Sequence, residues 1–344
     1  MEINERIRTI LTYVQGLFKS PVYLVGGAVR DIMLGLEPKD YDFCSALSTE
    51  EVKEQLKGIH RTYLIGERHG TIGFRYVDDM IEITTFRTET YKEGSRQPEV
   101  TFTDDLISDL SRRDFTINAM AINCKDFSLV DPFGGEANLK QRVLKAVGLP
   151  RLRFREDPLR IMRAIRIASK YGFRIETHTN TYIQKLAYKL LNISKERWME
   201  EFDKMLVLEG ECLEMALYRL WIFGIFKFTI PELHLQYDFE QNSDYHDFTL
   251  DVHTTKVVTA VLNDINLRWA ALLHDVGKPF TITQNTKGKN NYIFHDMVGV
   301  ELVNGIALRL KWSNERRKAV VDLVRNHLEH DSILKTFDDQ AKKY

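Results

Sequence analysis

Several things are scarce in this chain, and each scarcity excludes something. Its 344 residues hold three cysteines, Cys44, Cys124 and Cys212, far apart in sequence. That leaves no disulfide framework or zinc ribbon and fits reduced thiols in a cytoplasmic protein. No apolar run approaches the roughly 20 residues that span a bilayer, and MEINERIRTI lacks the apolar core of a signal peptide. No membrane partner is therefore expected. The net charge of −1 means that a nucleic-acid partner would have to meet a locally basic surface. Repeats and low-complexity segments are absent. The length predicts two or three domains.

The most informative stretch is VYLVGGAVRDIMLGLEPKDYD, residues 22–42. Val22 to Val25 reads as a buried strand. Gly26 and Gly27 let backbone approach a ligand closely. Ala28 to Leu34 reads as a short helix with an anion site at its start, ended by Gly35 and a turn at Pro38. Asp40 and Asp42 follow. On a strand, a spacing of two puts both carboxylates on one face. An isolated Asp-x-Asp is more often a solvated turn. Behind a phosphate cradle it is what two-metal phosphoryl transfer with Mg²⁺ needs.

Around this stretch, Asn4 to Phe18 shows helical periodicity and Thr49 to Leu56 reads as a helix capped by Ser48. Thr71 to Val77 and Met80 to Phe86 read as a hairpin turning at Asp78-Asp79. Pairing of that hairpin beside the Asp40 strand would make Glu82 a third acidic group. Thr88 to Pro98 reads as a loop, and Asp104 to Ala121 as a helix with Asp114 and Asn118 sharing a face behind Arg112 and Arg113. DPFGG, 131–135, is turn chemistry. From Lys140 to Arg197 about 15 Lys and Arg stand against 4 Asp and Glu. There Arg151, Arg153 and Arg155 precede Arg160, Arg163 and Arg166, whose spacing tracks a helix face able to meet phosphates. The last third is helical. It carries His253, His274-Asp275, His295 and His327, which can converge on metal ions.

These residues resemble a known family. LVGGAVRD with KDYDF, IEITTFRTE, RRDFTINAMA, DPFGG, EDPLRIMRAIR and ERWMEEF occur in the order found in class II tRNA nucleotidyltransferases, the CCA-adding enzymes, which share a polymerase-β-like head with bacterial poly(A) polymerases. The segment from His253 to His327 resembles an HD-type phosphohydrolase domain. The resemblance implies an α+β chain in three parts. Residues 1–139 would be a nucleotidyltransferase head with a mixed sheet, 140–210 an all-α neck that binds nucleotide and tRNA, and 211–344 an all-α body of HD type. It implies Mg²⁺ on Asp40 and Asp42, and a triphosphate cradle at Gly26, Gly27, Arg30 and Asp31. Ribose sensing falls to Asp114 and Asn118 beside Arg113. Base reading falls to Glu156, Asp157 and Arg160, with Arg163 on the same row. Arg197 and Glu201 would support the neck. His253, His274, Asp275, His295 and His327 would hold Mn, Fe, Ni or Zn, with Asp331 or Asp338 as candidate distal ligands.

The implied activity is addition of CCA, or its last A, to the tRNA 3′ end from CTP and ATP. The alternatives are a poly(A) polymerase or an HD phosphohydrolase acting on 2′,3′-cyclic phosphates. The length of 88–98 resembles that in CCA- and A-adding relatives alike. Asp157 and Arg160, read as one helix face, offer an acceptor and a donor that match the Watson–Crick edges of C and A and mismatch those of U and G.

Overall fold

The computed structural model describes residues 3–66, 70–91, 99–242 and 248–328. The chain folds into two compact units. One runs to Asp157 and takes in Arg174–Asn180; the other comprises Pro158–Phe173 and the chain from Thr181 onward.

The first unit opens with α1 (Glu5–Leu17). The Asn4 side chain caps it, and Ile7, Ile10, Leu11 and Val14 face the core. β1 (Val22–Val25), α2 (Gly27–Met33), β2 (Tyr41–Ser45) and α3 (Thr49–Leu56) follow. Ser48 and Glu51 close a reciprocal capping box on α3, which fixes its start as the sequence predicts. β3 (Thr62–Gly66), β4 (Thr71–Tyr76) and β5 (Asp79–Thr85) come next. The turn between β4 and β5 lies at Val77-Asp78, one residue earlier than expected, with Val77 at a φ of 55°. Then come β6 (Arg87–Thr90), β7 (Glu99–Phe102), α4 (Leu106–Ser111), β8 (Ala121–Asn123), β9 (Leu129–Val130), α5 (Gly135–Lys140), β10 (Val143–Leu144) and α6 (Pro150–Glu156).

Seven of these strands form one sheet in the order β3-β4-β5-β2-β1-β8-β9. It is mixed, as expected: β2 runs parallel to β5 and its other pairs are antiparallel. Val22, Leu24, Val25, Phe43, Ile81 and Ile83 are buried in it. Each fully buried side chain of this kind contributes about 1.5–3 kcal/mol.

Two sequence expectations change here. Residues 104–121 are not one helix. α4 ends at Ser111, Thr116–Asn118 form a single 3-10 turn, and β8 begins at Ala121. The run from Phe115 to Ile122 is almost wholly buried, and a continuous apolar run carries no period to separate helix from strand. Residues 88–90 belong to β6, which pairs with β7; 92–98 lie outside the described residues.

The second unit is helical: α7 (Leu159–Lys170), most of α8 (Thr177–Leu186), α9 (Lys195–Leu206), α10 (Gly210–Ile222), α11 (Ile225–Thr229), α12 (Pro231–His234), α13 (Leu250–Ala260), α14 (Ile265–Leu273), α15 (His295–Arg309) and α16 (Asn314–Arg325). A two-residue ribbon, Thr283–Gln284 against Asn290–Asn291, is its one departure from an all-α body among the described residues. An aromatic stack ties α9 to α14: Phe202 lies 4.9 Å from Trp269, which lies 4.8 Å from Trp312. Trp269 also donates its indole N–H to Asp203 (2.8 Å), which Arg316 clasps from α16 at 2.9 Å. Among the described residues no helix is long and apolar enough to cross a membrane.

Candidate functional site

The head site is built where β1 meets α2. Gly26 has φ 73° and ψ −134°, a conformation that needs glycine. A Cβ on Gly26 would lie 3.0 Å from Arg113 Nη1, and one on Gly27 would lie 3.4 Å from Arg30 Nη2. Two guanidiniums therefore flank the Gly-Gly turn. α2 has only seven residues, so these arginines, rather than a helix terminus, supply the positive charge. Arg30 is itself oriented. It pairs with Asp31 at 2.8 Å and donates Nη1–H to Asn118 Oδ1 at 2.8 Å. Asn118 donates in turn to Asp114 Oδ1 at 3.0 Å. The Asp114–Asn118 pairing expected from a helix is thus present, made by a 3-10 turn instead. It connects directly to the cradle.

DPFGG holds that turn in place. Asp131 accepts from the backbone N–H groups of Gly135 (2.7 Å) and Glu136 (2.9 Å). A Cβ on Gly135 would stand 2.4 Å from the Thr116 carbonyl oxygen and 2.7 Å from Met120. Gly135→Ala is expected to cost about 1–3 kcal/mol by overpacking. It should lower the melting temperature and weaken nucleotide affinity together, because Thr116 and Asn118 share the displaced turn. Calorimetry and equilibrium nucleotide binding check this.

The acidic side of the site is assembled by the sheet. The parallel register sets Asp42 opposite Glu82, so the third acidic group suggested by strand alternation does stand beside the β2 carboxylate. Asp40 is not on the strand: β2 starts at Tyr41. Asp40, Tyr41, Asp42 and Phe43 nonetheless alternate exposed and buried, and Asp40 acts on Asp42. Asp42 is open to solvent on one side and crowded by protein on the other. Burial raises its carboxyl, Arg113 opposes the rise, and Asp40 adds to it. Glu82 is raised by burial, then by Asp42 and Asp40. Mutual repulsion among three acids fits a site for divalent cations. Their oxygens are less tightly gathered than those of the histidine groups below.

The expected base-reading face is rearranged. Asp157 caps the C-terminus of α6 with an extended backbone, as a residue before proline favours, and Arg160 belongs to α7. They fall on either side of the division between the units, so helical i,i+3 spacing does not apply to them. Glu156 accepts from Arg153 Nη2 at 2.6 Å. The arginine row divides as well. Arg160 is buried, while Arg166 and Arg163 pair with the buried Glu201 of α9 at 2.6 and 3.9 Å. Glu201 supports the helix packing as the resemblance implied, and it offsets charge that the sequence reading gave to phosphates.

The histidines do converge. His253 lies on α13, His274 caps the C-terminus of α14 ahead of Asp275, His295 opens α15, and His327 follows α16. The Nδ1 atoms of His274, His295 and His327 lie 2.7, 2.7 and 2.6 Å from the carbonyl oxygens of Ala271, Tyr292 and Val324. Carbonyls only accept, so each Nδ1 carries a hydrogen and Nε2 is the ring atom turned inward. Burial holds His253 below the usual imidazole range and lowers His327 to about 4. The Nε2 atoms of His295 and His327 are 3.1 Å apart, and those of His253 and His274 are 3.3 Å apart.

Asp275 joins the two pairs. Its Oδ2 is 3.0 Å from His274 and 3.4 Å from His253, and its Oδ1 is 3.2 Å from His295 and 3.9 Å from His327. Two ligand groups thus share one carboxylate, each with donor atoms within 4.8 Å of one another. Asp331 and Asp338 lie outside the described residues. The sequence reading missed Lys278, whose buried ammonium is 2.7 Å from Asp275 Oδ2. Its position three residues after Asp275 was the available signal. Burial opposes ionisation of Asp275, but His274 and Lys278 outweigh it and hold the carboxyl well below its ordinary range.

With this geometry in place, comparison with known proteins is decisive for the head. Residues 22–145 match the model of the poly A polymerase head domain. Residues 172–236 match a probable RNA and SrmB-binding site of polymerase A, and 252–342 match the HD domain. A CCA-adding enzyme of Geobacillus sp. (strain WCH70) is 42% identical over 205 residues, 59% of this chain and 49% of that protein. One from Anoxybacillus flavithermus is 39% identical over 234 residues, 67% of this chain and 57% of that protein. The chain thus spans about half the length of the curated relatives it matches. The structure of the Bacillus stearothermophilus CCA-adding enzyme in complex with CTP is similar at a TM-score of 0.63 and 27% identity, covering 99% of this chain and 82% of that one. The mixed-sheet head and the helical remainder are the architecture of that structure. Poly(A) polymerase heads and HD domains are divalent-metal domains.

Proposed function

We propose that this chain is a tRNA nucleotidyltransferase that adds CCA, or its terminal A, to the tRNA 3′ end from CTP and ATP, in the cytoplasm. One observation carries the reading. The Gly26-Gly27 turn is flanked by Arg30 and Arg113, beside a strand pair that sets Asp42 against Glu82. In this reading Asp40 and Asp42, with Glu82 adjoining, hold Mg²⁺. When bound, such ions neutralise the triphosphate and lower the pKa of the attacking hydroxyl. The protein's own share is positioning. Arg30 and Arg113 orient the phosphates, Asn118 and Asp114 receive the ribose, and Asp131 caps α5, whose Asn138 donates to Thr116 in the turn that carries Asn118. Residues 1–139, 140–210 and 211–344 act as head, neck and body.

The test is incubation with tRNA lacking its 3′ end, Mg²⁺ and CTP, ATP or both, with the products sequenced. A defined CCA or A end supports the reading. An untemplated A tract would replace it with poly(A) polymerase activity.

Asp157 and Arg160 remain the proposed base readers, on the family motif and their acceptor–donor chemistry, with Glu156 and Arg163 flanking them. A wrong base leaves polar groups unpaired at about 1–3 kcal/mol each. Asp157→Ala/Arg160→Ala is expected to relax discrimination against UTP and GTP about tenfold or more. Single-nucleotide incorporation kinetics measure this, and unchanged selectivity among all four nucleotides rules the pair out as the reader.

The histidine groups support a second activity, metal-dependent phosphoester hydrolysis. The converging Nε2 atoms and the shared Asp275 carboxylate favour it, and the mixed N/O donors suit Mn, Fe, Ni or Zn.

A further inference from the structure

α4 contains a charged group that the reading above does not use. Asp109 is completely buried. Its Oδ1 accepts from Arg112 Nη2 (2.7 Å) and Nε (3.0 Å), and from the backbone N–H of Arg87 at 3.3 Å. Its Oδ2 accepts from Arg113 Nη2 at 3.2 Å. The carboxylate therefore divides its two oxygens between two consecutive arginines.

Those arginines lead in different directions. Arg113 stands against Gly26, and its charge acts on Asp42. Its Nε is buried and has no hydrogen-bond partner among the described residues. Arg112 donates Nη1–H to Glu89 of β6 at 2.9 Å and Nε–H to the Arg87 carbonyl at 3.1 Å. Glu89 is also clasped by Arg87 at 3.2 Å and accepts from the Tyr91 hydroxyl at 2.9 Å. β6 and β7 are the two arms that lead to residues 92–98.

We propose that Asp109 is a positioning residue for the nucleotide site, holding Arg113 on the Gly26-Gly27 cradle and coupling it through Arg112 and Glu89 to the β6–β7 hairpin. A buried acid facing two guanidiniums carries a desolvation cost that an apolar residue of similar size would avoid, so filling the core does not account for it. A carboxylate is also the one side chain that can accept from both forks at once. Arg113 keeps one Nη for the anchor and turns the other to the cradle. A shift of the β6 arm reaches Arg113 through a single shared carboxylate. This rests on the nucleotidyl-transfer reading of the head and adds to it a residue that never touches the nucleotide.

The experiment uses the full chain with Asp109→Asn, which keeps the shape and removes the charge, Asp109→Glu, Glu89→Gln and the Glu89→Gln/Asp109→Asn pair. The readouts are KM and kcat for CTP and ATP addition, equilibrium nucleotide binding and thermal unfolding. Asp109→Asn is expected to raise KM and weaken nucleotide binding about tenfold, with a smaller change in kcat and partial recovery in Asp109→Glu. Glu89→Gln is expected to raise KM less, and the pair to be no worse than Asp109→Asn alone. A lower melting temperature with unchanged KM and nucleotide affinity, or fully additive effects, would overturn the proposal. If Asp109→Asn does not fold, Arg112→Met and Glu89→Gln carry the same test, and unchanged affinity in both overturns it. A wild-type chain that binds nucleotide but adds none defeats the transfer reading alone, since affinity still reports on Asp109.

Discussion

Asp40→Ala/Asp42→Ala is expected to abolish the proposed nucleotide addition while tRNA binding stays close to wild type. The two carboxylates supply most of the negative charge that would hold cations against the cradle. Arg113 is near enough to depress Asp42, and Asp40 near enough to raise it. Losing both leaves Glu82 alone on the neighbouring strand. Metal neutralisation of a transferring phosphoryl group is worth several kcal/mol, so the rate should fall at least about a thousandfold. Binding of tRNA should survive because the basic residues proposed to meet it lie from 140 onward, outside the acidic cluster. The fold should survive as well, since the variant removes mutually repelling charges and leaves Tyr41, Phe43 and Cys44 buried in the sheet. Single-turnover incorporation with a parallel filter-binding measurement gives the answer. Incorporation at the wild-type rate by the double variant would remove Asp40 and Asp42 from the metal site.

Legibility of the site from the sequence followed the range of the interactions. The Gly26-Gly27 turn was readable because a glycine conformation and a following arginine are local features. The Ser48 cap was readable for the same reason, and the structure adds the reciprocal bond from Glu51. Glu82 was reached by strand alternation, although which strand lay beside it came only from the β2–β5 register. Periodicity misled where burial is complete. The stretch around Asp114 and Asn118 looked helical, yet it makes a 3-10 turn and then a strand, because an all-buried segment has no polar face to mark its period. Pro158 broke the helix that would have placed Asp157 and Arg160 together. Charge partners distant in sequence were invisible. Arg166 looked like a phosphate ligand until Glu201, 35 residues on, appeared against it. Four histidines in helical contexts suggested a metal, but the division of Asp275 between two pairs is a tertiary fact that no spacing encodes.

His274→Ala/Asp275→Ala is expected to remove metal binding from the proposed site in the second unit and to leave the proposed nucleotide addition intact. Among the described residues Asp275 is the only carboxylate the two histidine groups share, so its loss takes one ligand from each, and His274 takes a second from the first group. What is left of them, His253 from one group and the His295–His327 pair from the other, offers too few donors for tight binding of a Mn, Fe, Ni or Zn ion. When bound, such an ion supplies Lewis-acid polarisation of a phosphoester and a nucleophilic water. Asp275→Ala also leaves the Lys278 ammonium with Gln241 Oε1 at 3.0 Å but without its 2.7 Å acid. A buried cation without its carboxylate is costly, so part of the loss should appear as a lower melting temperature; His274→Ala alone separates the two effects by keeping the Lys278–Asp275 pair. The expected readings are metal content near zero in the double variant, intermediate in His274→Ala, and no hydrolysis of 2′,3′-cyclic phosphates in either. Addition of nucleotide is expected to persist because the Gly26-Gly27 cradle and its acids lie in the other unit, and Arg160 and Arg163, although in the second unit, lie on α7 rather than on the histidine-bearing segments. Elemental analysis of the purified chain, followed by the two activity assays, decides it. Wild-type metal content with unchanged phosphodiesterase activity would show that His274 and Asp275 hold no ion.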